Sequence, residues 1–546
     1  MLKRFLSLDW PDRLLVGGLV LVAALYAVSL GALSFVVGPY DYNHLSTYYE
    51  IARRFWWEQS GLPAYDPFFC GGRTLGADPQ IPIFHPLVLF SFLLGPVVTL
   101  RLEILAQLGV GCWGLWHWLK RWEVSPSGRG FGLLAFSAGG FTLAHVLAGH
   151  VTLGFYFLLP AYFVLSYRLS SARRWDPWAL CGLLWLFVYC GLYKPNFFIH
   201  AVPPLLAEAL ARSIFARSLK PLGYFLLAVG TAGLACAVSL WPAQEYFSLF
   251  PRGKDARPRL IPVWTLFANL LLPLKAVPEA WYGSVYLQRH EYSVFLGPVA
   301  VWFAWLGRRS DTAEKRALWV FAGFSALLGL GFSGSFSPFL PFSWLHPIWP
   351  GFDSIRVPVR FWYGVFLAVV VFSASGFRWP ASRWAQWLCV FFGVLPFVAQ
   401  AAVNLGKINA FSTGVQWEPQ VHSAPDITLT HESPDEPYAA IRSGRGVIEC
   451  VDNIPTYRAN VLKAAPLLQF ESTPHQIWLL TWLNWSRLRL RGDLTQATKL
   501  VLNFNHHPFW KTTVGEITSQ PGDRLTLQMP PGPLDAFVTF EQPRVA

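Results

Sequence analysis

The sequence predicts an α-helical polytopic membrane protein of about eleven transmembrane helices, followed by a β-rich C-terminal domain. Three observations predict it. Of 546 residues, 53% are hydrophobic and only 14% charged, with a mean hydropathy of +0.37, whereas soluble domains carry about a quarter charged residues. The apolar residues arrive in blocks of 15–24, close to the roughly 17–25 that a bilayer core demands of a helix. Many of the 27 tryptophans flank those blocks, among them Trp10, Trp122, Trp175, Trp178, Trp379 and Trp384, as an interfacial aromatic belt does.

In chain order the apolar blocks cover residues 14–37, 98–119, 131–148, 153–167, 178–193, 197–211, 222–241, 292–306, 318–332, 361–377 and 384–403. The first is too long for the apolar core of a cleaved signal and reads as a signal anchor. Short breaks such as Lys194-Pro195-Asn196 predict tight helical hairpins. Lys3, Arg4 and Arg13 precede the first block. Lys120/Arg121/Arg129, Arg168/Arg173/Arg174, Arg212/Arg217/Lys220, Arg308/Arg309/Lys315/Arg316 and Arg378/Arg383 then recur on that same side. Basic short loops stay in the cytoplasm, so the N-terminus is expected inside and, after an odd number of spans, the C-terminus outside. The setting expected is a bacterial inner (plasma) membrane with the C-terminal domain periplasmic or extracellular.

The predicted transmembrane domain is 1–403, with long outer loops at 38–82, 242–291 and 333–360. Residues 404–546 alternate short apolar runs (Ile427-Thr428-Leu429, Leu500-Val501-Leu502, Leu525-Thr526-Leu527, Ala536-Phe537-Val538) with turn residues such as Pro521-Gly522-Asp523. That period of two predicts a β-sandwich-like extracytoplasmic domain. The net charge of +12 does not mark a nucleic-acid binder, because the basic residues are scattered between apolar blocks. Five cysteines (Cys112, Cys181, Cys190, Cys236 and Cys389) fall in predicted spans. Cys70 and Cys450 fall outside them, where an oxidising compartment permits a pair only if the geometry allows. No Cys/His spacing resembles a zinc site, and neither a divalent metal nor another cofactor is expected.

The densest polar cluster is the first outer loop, with Asp41 directly after the first span, His44 close behind and Asp78 farther along. A carboxylate at a lipid–water interface can have its pKa raised and act as a general base; the plain alternative is a solvated loop aspartate. His145 and His150 lie near the outer end of a span, where histidines mostly cap helices by hydrogen bonding.

Several segments carry a resemblance. They are "GLPAYDPFFCGG" (61–72), "ADPQ" (77–80), "FHPL" (84–87), "AGH" (148–150), "LPAYFVL" (159–165), "EYSVFLG" (291–297), "IRVPVRF" (355–361) and "LNFNHHPFWKTTVG" (502–515). In order and spacing they resemble the GT-C superfamily of membrane glycosyltransferases, nearest to the YfhO-like bacterial polytopic proteins. Asp66 stands where that family more often has Asn, and the segment around Lys194-Pro195 lacks its usual Gly-His-Pro-Gln-like hairpin. The resemblance implies a GT-C-like fold and sugar transfer outside the cytoplasm from a polyprenyl-phosphate donor, with inversion, to a glycan, lipid or protein acceptor. It implies Asp41 as the general base, with Glu291, Asp78 and His44 next in rank. Arg356, Arg360, Arg289 and Lys194 are the cations expected at the donor phosphate, although Lys194 at a hairpin also reads as a snorkelling lysine. Two other functions compete: a non-catalytic assembly subunit binding protein partners through its outer domain, and a lipid or glycan transporter. Sparse charges inside the spans count against the transporter.

Overall fold

The computed structural model describes residues 8–30, 41–59, 64–67, 72–76, 81–171, 176–192, 195–249, 263–273, 276–277, 289–308, 312–331, 338–352, 355, 357–410, 431–432, 446–447, 470–473, 478–520 and 523–541. The chain divides into two compact units, and neither is one continuous stretch of sequence. The first comprises Met1–Ser34, Leu100–Ala235 and Ala256–Ser412; the second comprises Phe35–Thr99, Cys236–Asp255 and Thr413–Ala546.

The first unit is helical. Among the described residues seven helices are long and apolar enough to cross a membrane: Trp10–Ser29, Pro96–Arg121, Pro126–Ala148, Val151–Ser171, Lys220–Gln244, Pro358–Gly376 and Arg383–Leu405. Each of the other predicted spans also contains a helix. Pro177–Gly191 and Gly297–Gly307 are apolar but shorter, Val202–Phe215 has 14 residues, and Ala313–Gly329 has 17. Chain breakers account for the shortening: Pro203 and Pro204 open one helix, while Gly329 and Gly331 close another. Burial separates centre from rim. In Pro126–Ala148, 83% of the apolar window is buried, against 28% in Trp10–Ser29 and in Lys220–Gln244. The last two therefore leave most of their apolar surface for lipid.

The loops that carry the basic residues also carry the helix caps. Ser125, Asp176, Thr312 and Ser382 each accept a hydrogen bond from a backbone N–H in the first turn of the helix that follows. Pro126 and Pro177 occupy first helical positions, where the missing N–H is no loss. Ion pairs fasten the same loops: Arg121 to Glu314 at 3.0 Å, and Arg168 to Asp176. The backbone N–H of Ala179 and the Arg168 guanidinium hold the Asp176 carboxyl below its ordinary pKa. The five span cysteines are free thiols; Cys70 and Cys450 lie outside the described residues.

The second unit contains the helix Asp41–Glu58, a short hairpin of β1 (Tyr65–Asp66) and β2 (Arg73–Thr74), the helix Val88–Leu94, and a parallel pair of β3 (His431–Glu432) and β4 (Gly446–Val447). Its remaining strands are β5 (Phe470–Thr473), β6 (Trp478–Asn484), β7 (Arg487–Leu494), β8 (Thr498–Asn505), β9 (Trp510–Thr512), β10 (Glu516–Ile517), β11 (Arg524–Met529) and β12 (Gly532–Phe540). They form two four-stranded sheets, ordered β10-β11-β8-β5 and β6-β7-β12-β9. The alternation read in the tail sets the faces. Leu500, Leu502 and Phe504 of β8 and Leu525, Leu527 and Met529 of β11 meet Leu488 and Leu490 of β7 and Ala536, Val538 and Phe540 of β12 in one core. Two sheets on one core make a sandwich, as the sequence predicts. On the outer face, Arg489 makes two hydrogen bonds to Asp535, at 2.7 and 2.6 Å.

Tyr65, from the segment between the first two long helices, is fully buried in that core, with ring centroids 4.9 Å from Trp510 and 4.8 Å from Phe540. The loop motif thus supplies a core side chain to a sandwich built more than 400 positions later in the chain. Replacing Tyr65 with Ala should cost the sandwich about 3–5 kcal/mol, as truncation of a buried aromatic does. Tyr65→Phe should stay within about 1 kcal/mol, because it keeps the ring. Amide exchange of β8 and β12 in the full-length protein measures both; equal protection in wild type and Tyr65→Ala would refute the assignment.

His507 is also buried, between Phe509 and Phe540. Burial, reinforced by His506, pushes its pKa down to about 3. The unfolded imidazole titrates near 6.5, so below that pH the unfolded chain binds a proton that the fold refuses. Stability should therefore fall as pH drops from about 6.5 toward 3, by about 1.4 kcal/mol per unit once the window is entered. Denaturant unfolding of the sandwich at pH 7 and pH 5 should show this loss, and His507→Leu should flatten it.

Candidate functional site

The site lies in the helical unit and is assembled from three backbone features. The first is the helix Gly140–Ala148, tied at its start by the Gly140 N–H donating to the Phe295 carbonyl at 2.8 Å. It ends at Gly149, whose φ of 76° is the left-handed turn that glycine adopts without strain. That turn folds the next residue back, and the His150 N–H donates to the His145 carbonyl at 3.0 Å. The two imidazoles end with centroids 5.0 Å apart and planes at 80°.

His145 is oriented further. Its ring stacks on Phe141 at 4.1 Å, and Nδ1 lies 3.1 Å from the Phe141 carbonyl. A carbonyl only accepts, so Nδ1 carries a proton and the neutral ring has its lone pair on Nε2. This fits the helix-end hydrogen-bonding role expected of His145, and it also fixes where the second nitrogen points.

The second feature is the 3₁₀ turn Arg289–Tyr292, which carries Glu291, and the third is the 3₁₀ turn Pro358–Trp362, which carries Arg360. The Arg360 Nε donates to Glu291 at 2.8 Å, and a second guanidinium nitrogen donates to the other carboxylate oxygen. This is the two-pronged geometry in which Arg binds carboxylate best. Glu291, His145 and His150 are buried, while the Arg360 side chain keeps 23% of its surface exposed. The pair thus has one dry partner and one that reaches the surface. One ligand atom from each of His145, His150 and Glu291 lies within 4.8 Å of the others, so these three residues can hold a metal ion.

Aromatic rings wall the cluster. Tyr156 stacks on Tyr363 at 4.3 Å and lies 6.1 Å from His145. The Tyr363 hydroxyl donates to the His200 carbonyl at 3.2 Å, and the His200 ring is 5.4 Å from Phe361.

Of the residues expected from sequence, Glu291 and Arg360 are therefore together. The sequence gives them different roles, Glu291 among the acid–base residues and Arg360 among the phosphate-binding cations. Asp41 and His44 lie in the second unit, in the first turn of Asp41–Glu58, both half-buried. Asp41 opens a helix instead of sitting in a free loop, and a helix N-terminus stabilises a carboxylate charge. Asp78, Lys194 and Arg356 lie outside the described residues, as does the side chain of Arg289. Sequence reasoning missed Tyr156, Tyr363 and His200, whose grouping needs contacts across more than 150 positions. The cluster of buried Glu103 and Gln107 with half-buried Tyr189, and the buried Glu208–Arg212 pair at 3.1 Å, were not anticipated either.

No family model matches the sequence, and no curated protein is significantly similar to it.

Removing one partner of the Glu291–Arg360 pair should destabilise the helical unit by about 2–3 kcal/mol, less than a fully buried pair because Arg360 retains contact with solvent. Arg360→Lys should recover little, since a point charge cannot make both bonds. Glu291→Gln combined with Arg360→Met should cost less than the sum of the single changes. Thermal unfolding of the four variants in detergent measures the coupling, and strict additivity would exclude it.

Proposed function

We propose that this chain is a polytopic membrane glycosyltransferase of GT-C type that moves a sugar from a polyprenyl-phosphate donor to an acceptor outside the cytoplasm. The observation that carries this reading is the Glu291–Arg360 pair, with Glu291 buried, beside the buried His145 and His150 at the end of an apolar helix. Buried ionisable groups that converge from separate elements are functional-site candidates. His150 follows the helix Gly140–Ala148, at the opposite end of the Pro126–Ala148 span from the capped, basic loop at 120–129. With basic loops inside, this end of the span faces the periplasm or the exterior, in an eleven-span arrangement with a cytoplasmic N-terminus.

In the proposed reaction a carboxylate takes the proton of the acceptor hydroxyl as its oxygen attacks the anomeric carbon, the role that the family resemblance gives to Asp41. The bond from that carbon to the phosphate oxygen breaks, and configuration inverts. The lipid phosphate leaves with both electrons of that bond. A guanidinium oriented by a carboxylate is a permanent charge of fixed direction, suited to the leaving phosphate. Arg360 takes this role, with Arg356, Arg289 and Lys194 as further candidates. Glu291 then acts chiefly by orienting Arg360, and Asp78 and His44 remain second to Asp41.

One observation favours the non-catalytic reading. Tyr65, within the loop motif that most resembles the transferases, serves as a core residue of the sandwich, so that motif has a structural use independent of any donor. A transfer assay separates the two. Purified protein incubated with a polyprenyl-phosphate-linked hexose and a lipid-extract acceptor should form product, detected by mass spectrometry. Asp41→Asn should lower the rate by about 10²–10⁴-fold, the range for loss of a general base. Absence of transfer by wild type, or an unchanged rate in Asp41→Asn, would favour the scaffold.

A further inference from the structure

We infer that His145, His150 and Glu291 form a binding site for a first-row divalent metal ion, with zinc the best match. Ligand atoms from the three side chains already lie within 4.8 Å of one another. A tetrahedral zinc with bonds of about 2.0–2.1 Å holds its ligand atoms about 3.3 Å apart, so modest side-chain rotations close the remaining distance. His145 is prepared for this role: its Nδ1–H is held by the Phe141 carbonyl at 3.1 Å, the outer hydrogen bond that metal-ligating imidazoles make. Glu291 has the matching arrangement. Its carboxylate has about four lone-pair sites, so it can bridge Arg360 and an ion.

The donor set selects the metal. Two imidazoles and one carboxylate suit zinc, whereas calcium and magnesium take shells of oxygen. Three protein ligands leave the fourth position open, as in catalytic rather than structural zinc sites. Because Glu291 already offsets Arg360, the ion would bring two further positive charges into a buried place, and an anionic fourth ligand would offset part of them. Hydroxide fits, since zinc lowers the pKa of its bound water to about 7; a phosphate oxygen has the same hard, anionic character. Sequence spacing hides the site. The histidines are five positions apart and share a face only through the left-handed turn at Gly149, and Glu291 follows 141 positions after His150.

Metal occupancy is read without any transfer assay, so this inference stands or falls separately from the transferase reading. Full-length protein in detergent, stripped with chelator and titrated with zinc chloride, should bind about one equivalent, measured by elemental analysis after dialysis. Cobalt(II) should give visible absorption bands of a low-coordinate site. His150→Gln and Glu291→Gln should each weaken zinc binding by at least about 100-fold, and Arg360→Met, which acts through Glu291, by about 10-fold. Gel filtration and thermal unfolding establish that each variant is folded, and His145→Gln serves in place of any that is not. Zinc retained equally by wild type and by the folded ligand variants would overturn the site, as would wild type that binds none.

Discussion

Lipid offers no hydrogen bonds, and the helical unit is organised around that constraint. Every backbone N–H and C=O within the hydrocarbon must find a partner in its own helix or in a neighbour, so the polar work is pushed to the helix ends. On the basic side the ends are closed by four side-chain caps and by proline at first helical positions. At the other end of the Pro126–Ala148 span the closure is different in kind. Gly149 turns the chain by a left-handed step, and the histidines on either side of it are turned inward. The same requirement that every polar group be paired is met by Glu291 and Arg360 bonding to each other, through two contacts instead of one.

Much of the architecture was legible because lipid writes a coarse signal into sequence. Each predicted apolar block contains a helix, and period-two alternation at Leu500-Val501-Leu502 and Leu525-Thr526-Leu527 falls on β8 and β11 of the sandwich. The span count was less legible. Blocks such as 197–211 and 292–306 read as spans by hydropathy, but proline and glycine positions trim the helices there to Val202–Phe215 and Gly297–Gly307. Mean hydropathy cannot see where a helix stops. Caps and backbone angles decide that.

The candidate site was legible only in pieces. Glu291 and Arg360 stood out as charged residues at block edges, yet nothing local says that they meet, since 69 positions separate them. His145 and His150 were recognised as helix-end residues, which is true of the Nδ1 bond of His145, but their convergence depends on a glycine turn that hydropathy treats as neutral. The segment at 61–72 presents the opposite case. Its motif stood out by composition, and the structure gives Tyr65 within it a packing role that no local reading contains, because the partners Trp510 and Phe540 come from the far end of the chain.

These placements bear on how a catalytic reading should be argued. A motif that recurs in order along a chain can be kept for chemistry or for packing, and side-chain contacts distinguish the two. Tyr65 is enclosed by aromatic and aliphatic side chains of a sandwich core, an environment that rewards volume and shape and offers no place for a reacting group. Glu291 lies against a guanidinium and two imidazoles, groups that offer hydrogen-bonding and ligand atoms where a packed core offers volume and shape. Burial of that kind contributes little to stability beyond what well-packed apolar residues of the same size would give. Three ionisable side chain types brought to one point by three separate turns are therefore better explained by what they bind than by what they hold together.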